Sequence, residues 1–188
     1  MDSRPKVIMD FDDLCDAYDP FNMLCTLKEN DPEFKVTLFT IPMRCSKQLL
    51  KKYDKEKEWI ELAMHGWWHT YGETLSWTKE EALDKMRISM DMGIDGKGFK
   101  AAKWVIDPIV YEAAKELGWY VADHKTNRYR IPSEGERIYI SDLRLRDGKE
   151  RRLHGHTRNV CDNGIEEAFP LFMLPRGKFE YRFISEVV

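Results

Sequence analysis

Short apolar runs of strand length alternate along this chain with longer segments of helical periodicity. The runs Lys6–Phe11, Lys35–Ile41 and Trp59–Met64 are each followed by polar or turn-forming residues, which predicts buried strands. The segments Pro20–Lys28 and Ser46–Lys57 lie between them and predict helices. Strands that alternate with helices in this way indicate an α/β fold with a mainly parallel sheet.

The second half of the chain continues the alternation and marks the ends of its helices more sharply. Thr78–Glu81 is a capping box, in which the Thr hydroxyl and the Glu carboxylate each satisfy a backbone N–H. Asp107 before Pro108 predicts the start of another helix, which should end at Gly118. Further predictions are strands at Phe99–Val105, Trp119–Ala122, Arg151–His154 and Phe179–Ile184, a hairpin of Tyr129–Ile131 with Arg137–Ile140, and a helix near Asn163–Phe169.

Length, charge and hydropathy exclude several classes of protein. The 188 residues, 43% of them apolar, suit one domain spanning residues 1–188. The net charge of −3 without a basic stripe argues against a nucleic-acid partner. No apolar stretch approaches the ~20 residues of a membrane span, and no signal peptide precedes the first strand. We therefore expect a cytoplasmic protein without a membrane partner, and the sequence does not predict its oligomeric state.

The four cysteines support the same expectation. Cys15, Cys25, Cys45 and Cys161 are widely spaced, and no C-x-x-C pair occurs. We expect them to be reduced, buried thiols.

Chemically active residues collect at the ends of the predicted strands. Asp12 and Asp13 follow the first strand, and His65 and His69 follow the third. In α/β folds the carboxyl ends of parallel strands meet at one edge of the sheet, so these side chains should converge. The same positions are occupied on later strands by Lys100, Asp123, His124, His154 and His156.

Two short motifs at these positions indicate a metal. His65 and His69 form an H-x-x-x-H pattern whose imidazoles suit zinc, iron, cobalt or nickel; the alternative is that they are merely polar strand ends. Adjacent carboxylates at Asp12 and Asp13 are costly at the end of a buried strand unless a cation or a proton intervenes. Their alternative is a cluster that caps a following helix, but Leu14 and the residues after it do not begin one.

Other side chains could complete an active site. His154-Gly155-His156 supplies a candidate general acid, because imidazole titrates near neutral pH; a second metal ligand or a surface pair is the alternative. Asp123 could orient one of these histidines, or cap a turn. Trp67, Trp68 and Trp104 could stack on a sugar, although core packing is the commoner fate of tryptophan and we expect it for at least half of the six in the chain.

In order along the chain, these segments resemble the motifs of the polysaccharide deacetylase family, also called the NodB-homology domain or carbohydrate esterase family 4. Asp10-Phe11-Asp12-Asp13 resembles its T-F-D-D motif, and His65–His69 resembles its H-x-x-x-H motif. The segment Phe99–Trp104 corresponds to its R-x-P motif, Asp123 to its fourth motif, and Leu153–His156 to its Leu-His motif.

The resemblance implies a distorted (β/α)7-type barrel and one divalent metal ion, usually zinc, with cobalt, nickel, iron or manganese as alternatives. It implies Asp13, His65 and His69 as metal ligands and Asp12 as general base. A histidine of the last motif would be the general acid. We favour His156, because its distance to the predicted helix near Asn163 suits the family, with His154 as the alternative.

The activity implied is removal of an acetyl group from an N-acetylated sugar, or from a small acetamide, by metal-activated water. A backbone N–H near Lys103 or Trp104 would hold the oxyanion. Three positions depart from the family: Lys100 stands where Arg is usual, Ala102 where Pro is usual, and Asp10 where Thr is usual. These departures keep two alternatives open, namely hydrolysis of another non-peptide C–N bond and an inactive metal- or carbohydrate-binding protein.

Overall fold

In a computed structural model, the structure describes residues 4–124, 133–140, 150–163 and 176–188. The strands of this part of the chain are β1 (Lys6–Leu14), β2 (Val36–Thr40), β3 (Ile60–His65), β4 (Gly98–Lys100), β5 (Tyr120–Asp123), β6 (Arg137–Ile140), β7 (Glu150–His156) and β8 (Glu180–Arg182). Its helices are α1 (Phe21–Asn30), α2 (Lys47–Asp54), α3 (Lys79–Asp91), α4 (Pro108–Leu117) and α5 (Thr157–Asn163).

All the strand pairs described are parallel, in the order β6-β5-β4-β3-β2-β1-β7. β8 pairs with the first half of β1, at Lys6–Ile8, while the second half of β1 pairs with β2. The sheet curls into a distorted barrel, as expected. The two strands at the ends of this order, β6 and β7, approach each other across the opening of the barrel. Arg152 of β7 donates to the carbonyl oxygen of Ile140 in β6 (3.3 Å) and lies over the ring of Tyr139.

Alternate residues of each strand face opposite sides of the sheet, and this alternation separates two cores. The larger core packs the outer face against the helices, with Val7, Leu38 and Leu62 among its members. The smaller core fills the barrel interior and is built from Ile8, Phe39, Ala63, Tyr120, Ala122, Tyr139 and Ile184. Polar side chains on the interior face therefore stand above and below this small apolar layer.

Local signals placed most helix ends correctly. Thr78 accepts from the backbone N–H of Glu81, and Glu81 returns the bond to the N–H of Thr78, which completes the predicted capping box of α3. Asp107 caps α4 through the N–H of Ile109. Gly118 ends that helix in the left-handed conformation, with φ +68°.

The structure differs from the predicted elements in three places. The predicted strand Phe99–Val105 is only three residues long, because the chain turns into a 3₁₀ turn at Ala102–Trp104. A helix that was not predicted, α5, follows β7 directly at Thr157–Asn163, whereas the helix predicted near Asn163–Phe169 lies, after Asn163, outside the described residues. Arg137–Ile140 pairs in parallel with β5, and its proposed hairpin partner, Tyr129–Ile131, lies outside the described residues.

Cysteines and tryptophans divide between core and surface. All four thiols are free, as expected, but only Cys15 is buried: Cys25 and Cys45 are half-buried and Cys161 is exposed, so full burial was predicted correctly for Cys15 alone. Trp59 and Trp119 are buried, and Trp67 and Trp77 pack against the larger core. Among the described residues, no helix is long and apolar enough to cross a membrane.

Candidate metal centre and active site

A bulge in β1 brings two consecutive carboxylates to the same site. Between Phe11 and Leu14 the pairing of β1 with β2 gains one residue, and Asp13 has φ +71°. Consecutive side chains of a regular strand point to opposite faces, whereas a bulge re-aims one of them. Asp is among the residues that tolerate the left-handed region best. Asp12 and Asp13 can therefore face the same cavity at the mouth of the barrel.

The H-x-x-x-H segment leaves β3 in a tight loop held by Glu73. The Glu73 carboxylate accepts from the backbone N–H groups of Trp67 and Trp68, both at 2.9 Å. Gly66 has φ +59°, and a Cβ there would lie 2.0 Å from Glu73 Oε1. His69 also takes a left-handed conformation, at φ +62°. This carboxylate clamp was not predicted, since nothing in the sequence links Glu73 to the histidines.

The three predicted metal ligands converge. Asp13 Oδ1 lies 3.1 Å from His69 Nε2 and 3.5 Å from His65 Nε2. Two ligands about 2.0–2.1 Å from one zinc ion in tetrahedral geometry are separated by about 3.3 Å. Asp13 Oδ1 is buried without a hydrogen-bond partner of suitable geometry. The donor set and its spacing therefore fit a divalent ion.

The protonation of the ligands also fits. His65 Nδ1 lies 3.1 Å from the carbonyl oxygen of Lys100, so this nitrogen carries the proton and the lone pair of Nε2 faces Asp13. Burial by itself raises the pKa of the Asp13 carboxyl, but the adjacent imidazoles of His65 and His69 outweigh it and hold the pKa below its ordinary value. A carboxylate that stays ionised is ready to bind a cation.

A buried charged network stands beside these ligands. Lys100 Nζ donates to Asp12 Oδ1 at 2.6 Å and to Asp10 Oδ2 at 3.0 Å. The same oxygen of Asp10 accepts from His154 Nδ1 at 2.8 Å. The side chains of Asp10 and Lys100 are fully buried, and that of Asp12 is 4% exposed. Strand alternation puts Asp10 and Asp12 on the same face of β1, so both carboxylates can contact the same lysine.

The carboxylates of this network outnumber its cationic side chains. When ionised, Asp10, Asp12 and Asp13 exceed the charge of Lys100, and a proton on His154 offsets only part of that excess, so the network attracts a cation. A second donor group, formed by Asp12, His154 and His156, also has its ligand atoms within 4.8 Å of one another. Lys100 already neutralises Asp12, so the group centred on Asp13 is the better cation site.

The two histidines of the last motif have different environments. Burial alone lowers the pKa of His154, but the charge and hydrogen bond of Asp10 outweigh it and raise the pKa above its ordinary value. Burial lowers the pKa of His156, which Asp12 only partly offsets. The predicted helix near Asn163 that favoured His156 over His154 lies, after Asn163, outside the described residues, so the choice between the two histidines has to be made from their surroundings.

A cavity of about 570 Å³ opens over the converged side chains. Trp104 lines it, whereas Trp67 packs against the larger core and Trp68 is 51% exposed outside the lining. Its lining residues are Asp12, Asp13, His65, His69, Ala101, Lys103, Trp104, His156, Arg158, Asn159 and Asp162.

The 3₁₀ turn at the cavity edge has an unusual backbone. Lys103 and Trp104 both have positive φ, at 56° and 62°, which is rare for bulky residues and typical of functional turns. The N–H of Trp104 donates to the carbonyl oxygen of Ala101 within this turn, which leaves that of Lys103 as the better candidate for an oxyanion. Asp123 is buried below the turn, where it accepts from the hydroxyl of Tyr111 and the N–H of His124.

No protein-family model and no curated protein sequence matches the chain. Solved structures do share its fold. An acetyl xylan esterase of family 4 from Clostridium thermocellum, solved with a cobalt ion, superposes with a TM-score of 0.62 at 14% identity, covering 97% of this chain and 89% of the esterase. A peptidoglycan N-acetylglucosamine deacetylase, Bc1960, superposes with a TM-score of 0.64 at 13% identity, covering 96% and 86%.

The same fold also occurs in an enzyme of another kind. A 4-α-glucanotransferase from Thermococcus litoralis superposes with a TM-score of 0.65 at 15% identity, covering 98% of this chain and 40% of the transferase. At such identities the likeness establishes the fold. By fold, the chain therefore resembles the family 4 carbohydrate esterases and polysaccharide deacetylases. Its activity has to be argued from its own side chains.

Proposed function

We propose that the protein is a metal-dependent hydrolase that removes the acetyl group from an N-acetylated sugar. The observation that carries the proposal is the position of Asp12 Oδ2, 3.8 Å from His65 Nε2 and 3.9 Å from His154 Nε2. One carboxylate oxygen thus stands between a metal-ligand group and a histidine held by a second carboxylate. Hydrolysis of an amide needs a base and an acid on either side of the reacting carbon, and this arrangement supplies both.

Asp13, His65 and His69 would hold the ion, with zinc as the first choice and cobalt, nickel, iron or manganese as alternatives. When bound, such an ion polarises the acetyl carbonyl and acidifies water. The cobalt-containing esterase of the same fold supports a divalent metal of this type.

The side chains of the network would carry the protons. Asp12 accepts one from the attacking water, whose oxygen bonds to the acetyl carbon. The N–H of Lys103 would stabilise the oxyanion. The C–N bond then breaks as His154 donates its Nε2 proton to the nitrogen, giving acetate and a free amine. Transfer of a proton from Asp12 to His154, across the 3.9 Å between them, restores both groups.

His154 is the better general acid for two reasons. Asp10 raises its pKa above the ordinary histidine value, which favours the protonated form that an acid needs, and its Nδ1 is fixed by Asp10. His156, which the sequence favoured, lines the cavity and would contact substrate there. Trp104 would stack on the sugar ring. Asp123 would support the strand end below the turn rather than orient the acid.

An N-acetylated sugar is favoured over other substrates by the proton donor. An amine leaves only with a proton, whereas the alkoxide of an O-acetyl ester depends less on one. The peptidoglycan deacetylase that shares the fold acts on N-acetylglucosamine, by its name. The inactive alternative rested on the weakened third motif, with Lys100 in place of Arg and Ala102 in place of Pro. Lys100 nevertheless donates a hydrogen bond to Asp12, as the proposed activity requires.

Acetate release from N-acetylglucosamine oligomers, with zinc and then with a chelator, tests the proposal. We expect release that the chelator abolishes and zinc restores. Turnover of cyclic amides without acetate release would favour the wider C–N hydrolase. Stoichiometric metal binding without turnover of any acetamide or cyclic amide would favour a binding protein.

A further inference from the structure

We propose that Asp10 is a positioning residue of the active site, which through one oxygen fixes both the lysine that holds the base and the histidine that supplies the proton. The inference rests on the proposed function for its catalytic meaning. Its structural content, a hydrogen bond from His154 Nδ1 to Asp10, can be tested without any activity.

The first observation is that Asp10 Oδ2 is shared. It accepts from Lys100 Nζ at 3.0 Å and from His154 Nδ1 at 2.8 Å. Lys100 donates in turn to Asp12 at 2.6 Å, so the chain of contacts runs from the proposed acid to the proposed base. A displacement of Asp10 would therefore move both.

The second observation is that the ion pair is fully buried. Asp10 and Lys100 have no exposed side-chain surface. Burying charges is costly, so apolar residues of similar volume are often at least as stabilising as a buried ion pair. Stability alone thus gives little reason for an aspartate within β1 and a lysine at the end of β4, whereas positioning of reacting groups gives one.

The third observation joins two departures from the family pattern. Asp10 stands where Thr is usual and Lys100 where Arg is usual, and the two residues touch each other. A guanidinium presents a planar fork of donors, whereas an ammonium is a point charge that needs a second acceptor to be oriented. We infer that Asp10 supplies that second acceptor and so holds Lys100 against Asp12.

The experiment compares wild type with Asp10→Thr, Lys100→Arg and the double variant, all loaded with zinc. Two substrates are used: an N-acetylglucosamine trimer, whose amine must be protonated as it leaves, and p-nitrophenyl acetate, whose phenolate leaves without a proton. In Asp10→Thr we expect kcat for the amide to fall at least ~10-fold, because the acid is then poorly held. Complete loss of a general acid would lower kcat by ~100-fold or more. The ester rate should fall less than the amide rate, because the ester depends on the held base but not on the proton donor; KM and zinc content should be kept.

The double variant tests the coupling. We expect its loss on the amide to be smaller than the product of the two single losses, because Arg can hold Asp12 without Asp10. Losses that multiply would overturn the coupling. Equal losses on both substrates, or no loss in Asp10→Thr, would overturn the positioning role. Glu61→Gln, a buried carboxyl at the other end of the interior, is the matched control and should leave the amide-to-ester ratio unchanged.

Nuclear magnetic resonance of protein labelled with ¹⁵N-histidine supplies the reading that needs no activity. In wild type we expect the His154 proton on Nδ1, protected from exchange, and we expect Asp10→Thr to lose that protection. A wild-type proton on Nε2 alone would overturn the inference. Failure of the proposed function would instead appear as absent acetamide turnover with this resonance intact.

Discussion

Asp13, His65 and His69 converge from the ends of β1 and β3, and they do so because the backbone takes unusual conformations at two of these residues. Asp13 reaches the site through a bulge, and His69 through a left-handed residue. Conformations of this kind cost of order 1–3 kcal/mol when unsupported. A cation bound by Asp13, His65 and His69 would offset that cost through the bonds it forms with all three side chains.

Loss of a ligand should therefore abolish metal binding. We expect Asp13→Ala and His65→Ala proteins to release zinc on dialysis, because the donors that remain cannot complete the tetrahedral set. Metal content measured by mass spectrometry checks this. His156→Ala is the control and should keep stoichiometric zinc; metal retained by both ligand variants would contradict the assignment.

Glu61 provides a separate prediction at the opposite end of the barrel interior. It is buried and accepts from Thr37, Tyr120 and Ser185. Burial raises its pKa despite these bonds. The folded protein then holds the Glu61 proton more tightly than the unfolded chain does. The contribution of Glu61 to stability is therefore greatest below the ordinary Glu pKa of about 4.3 and is lost as the pH rises through the folded pKa.

Glu61→Gln removes the charge and should remove this dependence. At pH 7.5 we expect the free energy of unfolding of the variant to exceed that of wild type by at least about 1 kcal/mol, which is the scale of the desolvation penalty of a buried group. At pH 4 the two free energies should differ little. Urea unfolding at both pH values measures it. Asp19→Asn is the opposite control: burial raises the Asp19 pKa, but bonds from Lys52 and Tyr53 outweigh it and lower the pKa. Its wild-type stabilisation should be lost as pH falls.

At the scale of elements, the loop after β3 depends on one contact. Glu73 holds two backbone N–H groups of the H-x-x-x-H segment, and Gly66 leaves room for its carboxylate. We expect Gly66→Ala and Glu73→Gln to weaken zinc binding by roughly 10- to 100-fold, the usual cost of losing a supporting group around a metal ligand.

The matched control for this loop is Gly118→Ala. Gly118 has nearly the same φ as Gly66, at +68° against +59°, but a Cβ there meets nothing within 4 Å. Both alanine variants should lose stability from backbone strain, whereas only Gly66→Ala should lose zinc affinity by calorimetric titration. Equal zinc affinity in the two would show that the Glu73 contact does not position the ligands.

Elements with local determinants were predictable, and contacts between distant segments were not. The capping box at Thr78 and the Asp107–Pro108 start depend on residues within one turn, so the sequence suffices for them. The strand predicted at Phe99–Val105 failed because its apolar pattern continues through Lys103 and Trp104, whose backbone turns away. The pairings of Asp10 with Lys100, and of Glu73 with the loop, depend on where the fold brings separate segments.

At the scale of the molecule, the barrel interior is a column of polar groups interrupted by one apolar layer. Glu61 closes one end, the layer around Phe39 and Tyr120 fills the middle, and the charged network occupies the mouth. The proposed ion at that mouth would join β1 to the loop after β3, across the intervening β2. Metal binding should therefore stabilise the whole fold rather than a loop alone.

Thermal unfolding with and without zinc measures this coupling. A ligand present at about 1,000 times its dissociation constant, and bound only by the folded state, adds about 4.1 kcal/mol. For a domain of this size that corresponds to a rise in Tm of about 8–16 °C. We expect a chelator to reverse the rise and His65→Ala to show none. A rise of the same size in His65→Ala would mean that zinc binds elsewhere, because that variant lacks the ligand which links β3 to the ion.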